Sequence, residues 1–250
     1  MFFGKIGLFS ILGFRVSLDL SWFFLAVLIV WSLAKGYFPV VIEGLSPGAA
    51  WILGIVGALG LFLSIILHEV AHAVVARHFD IRISGITLFI FGGVAEMENE
   101  PPNARSELLM AIAGPLASYG LALLFQGIAL MLPPVSAADP LAAVFVYLAL
   151  INVILATFNL IPAFPLDGGR VLRAAIWWWS DDPDKATRIA AGSGRLLGAA
   201  LMILGVVSVV SGNFVAGMWQ ALIGLFVINA ARVSEFRSIL KNGPRRHPPA

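Results

Sequence analysis

Six apolar runs punctuate the chain, at residues 20–35, 51–76, 106–132, 141–163, 194–211 and 214–231. A helix crosses the hydrocarbon core of a bilayer with about 20 predominantly apolar residues. Each run is read as a transmembrane helix. The last two are short and parted only by Ser211, Gly212 and Asn213, which predicts a tight helical hairpin.

The stretch RISGITLFIFGGVAEME, residues 82–98, breaks this pattern. It is too short to span, rich in β-branched and aromatic residues, and interrupted by Gly85, Gly92 and Gly93. It reads as one or two strands or a re-entrant loop, since non-helical backbone at membrane depth survives only where protein or a wet cavity satisfies it. An amphipathic surface loop is the plainer alternative. Between the fourth and fifth runs, Trp177, Trp178 and Trp179 suit a membrane interface, and Asp182-Pro183 supplies an N-cap and first-turn pair for the next helix.

The fold class is thus an all-α polytopic membrane protein with six transmembrane helices and a short membrane-associated β segment near 82–98. Residues 1–232 form one six-span core. Residues 233–250 are read as a polar, Pro-rich cytoplasmic tail without fixed structure. The N-terminal stretch has no clean small-residue cleavage site and runs on into a longer apolar segment, so it does not read as a signal peptide.

Composition agrees. The chain of 250 residues is 60% hydrophobic and only 12% charged, where a soluble domain carries about a quarter charged residues. Mean hydropathy is +0.94. Of 16 Lys and Arg residues, all but Lys35 fall in segments that share a side with the N-terminus. By the positive-inside rule both termini are cytoplasmic. The basic excess is that of a membrane surface, and no nucleic-acid partner is expected. There are no cysteines, so a metal site must use His, Asp or Glu.

The second run carries the chemistry. In LHEVAHAVVARH, residues 67–78, His68 and His72 stand four apart, on one face of a helix, the spacing two imidazoles need to hold one zinc. Glu69 beside the first ligand is placed as general base for a water at that zinc. Ionisable residues within a span are rare and usually functional, which outweighs the alternative of a hydrogen-bonded polar cluster. His78 stands where a metzincin would place a third histidine, but Val75 occupies the position of that motif's turning glycine. On a continuous helix His78 lies about 9 Å further along and roughly 120° round the axis, out of reach.

Glu96, Glu98, Glu100 and Glu107 could supply a third ligand, but the first three sit in a charged, solvated run. Asp167 in NLIPAFPLDGGR is the better candidate, following the fourth run at the membrane level of His68. A plain Asp-Gly turn is its alternative. The small-residue stretches GIVGALG and GPLASYG read as helix-packing seams.

These residues resemble the site-2 proteases, intramembrane zinc metalloproteases. HEVAH, NLIPAFPLDGG and AGPLAS carry the resemblance, which extends over nearly the whole chain. It implies one zinc per chain held by His68, His72 and Asp167, with Glu69 as catalytic base. Asn159 is implied as an oxyanion stabiliser, a helix-packing hydrogen bond being its other reading. It implies a membrane-spanning protein substrate, such as a single-pass regulator, unwound and received by the strand-like segment 82–98. It places the site towards the cytoplasmic side of a bacterial or archaeal cell membrane. No loop has room for a PDZ domain, and a nucleotide partner is expected only if CBS domains follow Ala250. The competing readings are a catalytically silent relative acting as a membrane binding partner, and a membrane metal transporter. The second is disfavoured because no ladder of ligands crosses the bilayer.

Overall fold

The computed structural model describes residues 4–90 and 92–242. Six helices have the length and composition to cross a membrane: Ser21–Val41, Pro47–His78, Ala104–Met131, Leu141–Asn159, Pro183–Val210 and Ala216–Phe236. They are the six predicted spans, and the chain is an integral membrane protein. It divides into two units, Met1–Pro101 with Ala113–Thr157, and Pro102–Ile112 with Phe158–Ala250.

The first unit opens on a hairpin that the apolar pattern does not predict. Strands β1 (Lys5–Ile11) and β2 (Phe14–Asp19) pair antiparallel across Leu12 and Gly13, whose φ angles are +51° and +88°. Two left-handed residues in a two-residue loop match the right-handed twist of the strands they join. Segment 82–98 folds as two strands, β3 (Ile83–Phe89) and β4 (Gly92–Met97). The sheet order is β1-β2-β3-β4, with β2 and β3 parallel and the other pairs antiparallel. The expected β segment is therefore half of a four-stranded sheet.

A parallel pair requires a long crossover. Here it is helical: α1 (Ser21–Ser32), a π-helical stretch (Leu33–Tyr37), α2 (Phe38–Val41) and α3 (Pro47–His78). The Asp19 carboxylate accepts from the backbone N–H and hydroxyl of Ser21, whose Oγ accepts from the N–H of Ile90, so one serine ties the start of α1 to the end of β3. Ser46 caps α3, accepting from the N–H of Ala49, with Pro47 at the first helical position. The sheet lays Phe14, Val16, Leu18, Ile86 and Leu88 on Ile66, Val70 and Ala73 of α3, which holds the lower half of that helix against β structure. Its upper half packs with Phe38, Val144, Tyr147 and Leu148, the last three from α5 (Leu141–Asn159). Helix α4 (Ala104–Met131) contributes from Ala113 onward.

The second unit holds the start of α4 and three further helices, α6 (Asp167–Ser180), α7 (Pro183–Val210) and α8 (Phe214–Asn242). Asp182 caps α7 as expected, accepting from the N–H groups of Lys185 and Asp184 at 2.9 and 3.0 Å. Those two bonds, with Arg188 and Lys185 nearby, hold its carboxyl below the usual carboxylate range. Helix α7 starts well before its apolar run, because hydropathy marks the membrane-crossing stretch and the cap marks the helix. Gly212, at φ +89°, turns the chain into α8. The two helices meet glycine on glycine: a Cβ added at Gly198 or Gly224 would stand 2.6 Å from the other's carbonyl oxygen. Helix α8 continues to Asn242, so residues 233–242, read as an unstructured tail, are helical. No glycine or proline interrupts that stretch before Gly243-Pro244. Residues 243–250 lie outside the described residues.

Candidate metal centre

Helix α3 runs unbroken through His68, Glu69 and His72. Both histidines are buried, with 2% and 8% of their surface exposed. Their Nε2 atoms lie 3.2 Å apart and their rings meet edge to face at 75°. Two nitrogens bound to one tetrahedral zinc at about 2.0–2.1 Å stand about 3.3 Å apart, so the pair has the bite a zinc ion needs.

The surroundings are built to the same end. His68 Nδ1 is 2.9 Å from Ser118 Oγ, and that hydroxyl is fully buried on α4. A partner on the far nitrogen orients the ring, with Nε2 turned towards that of His72. One turn before Ser118, Gly114 leaves the space in front of the pair open: a Cβ there would overlap the Nε2 atoms of both His72 and His68. The residues present fit a zinc ion. Ser118 and Gly114 belong to the stretch GPLASYG, read from sequence as a packing seam. The structure corrects that reading: the small residues make room for the histidine pair. Nothing local distinguishes the two roles, because the partners lie 50 residues away.

Glu69 is half buried and lies under β4. A Cβ at Gly93 would come 2.7 Å from Glu69 Cγ and 3.0 Å from Oε1, so only a glycine lets the strand approach the carboxylate this closely. A second polar contact lies one turn before His68, where Ser64 accepts from Nδ2 of the buried Asn152 on α5 at 2.9 Å. The sequence pattern does not single out that pair.

Asp167 is the first residue of α6, in the second unit, and is half buried. The glycines after it are required by close packing: a Cβ at Gly168 would overlap the backbone of Leu160 and Ile161, and one at Gly169 that of Ala163 and Phe164. The Asp-Gly-Gly sequence thus opens a helix and is not a plain turn. Asn159, also half buried, ends α5. His78 is exposed at the end of α3, edge-on to Phe79. The helix does not break after His72, and His78 stays remote, as its spacing predicts. Glu98 and Glu100 are exposed. Glu107 is buried and paired with Arg173, which accounts for it without a metal.

The sequence pattern of peptidase family M50 matches residues 56–142 and 134–205. Rip3 of Mycobacterium tuberculosis is 38% identical over 232 residues, covering 93% of this chain and 59% of the relative. The zinc metalloprotease MJ0392 of Methanocaldococcus jannaschii is 35% identical over 242 residues, covering 95% of this chain and 64% of the relative. The chain thus spans about three-fifths of the length of these curated relatives. Among solved structures, the site-2 protease from Methanocaldococcus jannaschii superposes with a TM-score of 0.64 at 30% identity, covering 93% of this chain and 95% of that one.

Proposed function

The chain belongs to peptidase family M50 and has the site-2 protease fold, and on that premise we propose that it is an intramembrane zinc metalloprotease. It hydrolyses a peptide bond within or beside the transmembrane segment of a membrane-anchored regulatory protein. The observation that carries this reading is the 3.2 Å separation of two buried histidine Nε2 atoms next to Glu69 on one helix.

His68, His72 and Asp167 would hold the zinc, offering two imidazole nitrogens and one carboxylate oxygen and leaving a fourth position open. Zinc there would lower the pKa of a water and polarise the scissile carbonyl. Glu69 takes a proton from the attacking water and delivers it to the leaving amine. Asn159 steadies the negative charge that develops on the carbonyl oxygen. A helical substrate hides its carbonyls in its own hydrogen bonds, so it must be extended first. Strand β4 lies at one edge of the sheet and against Glu69, where an added strand would pass beside the base. The distribution of Lys and Arg puts both termini, and with them the site, towards the cytoplasm.

The test is Glu69→Gln in proteoliposomes with a membrane-spanning reporter peptide. The variant should keep its zinc and lose cleavage; cleavage at the wild-type rate would remove Glu69 from this role. Zinc flux without cleavage by the wild type would favour transport.

A further inference from the structure

Arg173 is a buried cation that the mechanism above leaves unused. It lies on α6, six residues beyond Asp167, and Glu107, Thr187 and Trp177 around it belong to the same unit. Its Nη1 donates to both carboxylate oxygens of Glu107, at 2.8 and 2.7 Å, and its Nε donates to Thr187 Oγ1 at 2.7 Å. The guanidinium carbon stands 5.4 Å from the ring centre of Trp177. The Glu107 side chain is 1% exposed and that of Arg173 10%. Thr187 is itself bonded to the Pro183 carbonyl in the first turn of α7.

A buried ion pair persists only with good geometry and with its remaining hydrogen-bonding capacity used. That demand gives α6 one seating against the first turns of α4 and α7. Gly168 and Gly169 seat the head of α6 and Leu172 packs on Phe164, Ala190, Ala191 and Ala231, while Arg173 is the one charged side chain among the buried residues of the helix. Six residues of helix place Asp167 about 9 Å along the axis and about 120° round from Arg173. Rotating or sliding the helix at Arg173 therefore re-aims the carboxylate at its head.

We infer that the Arg173–Glu107–Thr187 cluster is the positioning device for Asp167, setting the rotation and height of α6 and so the direction of its carboxylate. The inference rests on the reading of Asp167 as a metal ligand. Arg173 is a positioning residue and touches neither metal nor substrate.

The experiment uses the full chain in detergent, titrated with zinc against a chelator and, separately, loaded with cobalt(II) for its visible ligand-field spectrum. Glu107→Gln should weaken zinc binding about 10- to 100-fold, the usual cost of losing an outer partner, and shift the cobalt bands. Thr187→Val, which removes one bond without disturbing charge, should give a smaller loss in the same direction. If Glu107→Gln does not fold, the double variant Glu107→Leu with Arg173→Met removes the pair without stranding a charge, and should fold yet keep the weakened affinity and shifted bands. Asp167→Ala is the reference. If it releases the metal while the folded cluster variants keep wild-type affinity and spectrum, the positioning role is overturned and the ligand reading stands. If Asp167→Ala itself binds like wild type, the ligand reading falls and the inference with it.

Discussion

His68 Nδ1 and Ser118 Oγ stand 2.9 Å apart, both buried, one on α3 and one on α4. The contact orients the ring of a histidine in a membrane helix and turns its Nε2 towards that of His72, as the proposed ligand role requires. Ser118→Ala should leave the helices in place but weaken zinc binding about 10- to 100-fold. Chelator competition on the purified variant checks this, with circular dichroism as the control for helix content. Unchanged affinity would mean that packing alone holds the ring.

Gly114→Ala should be more damaging than its size suggests, because the added methyl group would overlap both Nε2 atoms. We expect loss of metal in a chain that still inserts. Gly120→Ala, on the same helix with nothing within 4 Å, is the matched control and should bind zinc like wild type. It should also gain about 0.8–1 kcal/mol of helix propensity. Equal metal content in the two variants would count against the cradle.

Asp182 predicts a pH dependence at the start of α7. Its folded pKa lies below the ordinary value, chiefly through the N–H of Lys185. The cap's contribution is therefore complete above the ordinary carboxylate pKa and is lost as pH falls through the lower, folded value. Hydrogen exchange at the Asp184 and Lys185 amides, corrected for intrinsic rate, should lose protection in that acid window. Asp182→Asn should remove the dependence while keeping an N-cap. An unaltered profile in the variant would contradict the assignment.

What the sequence makes legible is what repeats locally. Runs of apolar residues identify all six spans, and the four-residue spacing of His68 and His72 predicts the shared helix face on which the structure brings their Nε2 atoms within 3.2 Å. Strands β1 and β2 are hidden because their apolar residues merge with the run that follows, and because β2 finds its parallel partner, at Arg15 and Gly85, only after the whole α1–α3 crossover. Glu107 illustrates the same limit. It stands among the acids available to a metal, yet its partner Arg173 lies 66 residues away, and the pairing has no local signature. Ser118 and Gly114 pass for a packing seam because small residues serve both purposes. Chemistry is thus readable where the ligands share one helix turn, and unreadable where a second helix supplies the support.

The central claim is that His68, His72 and Asp167 bind one zinc ion in a membrane-embedded protein, and metal content tests it most directly. Zinc per chain should be measured by elemental analysis in purified wild type, His68→Ala, Asp167→Ala and His78→Ala. The account predicts close to one zinc in wild type and in His78→Ala, and its loss from the other two. A folded wild type without zinc after metal loading, or a His68→Ala variant that keeps it, would contradict the account.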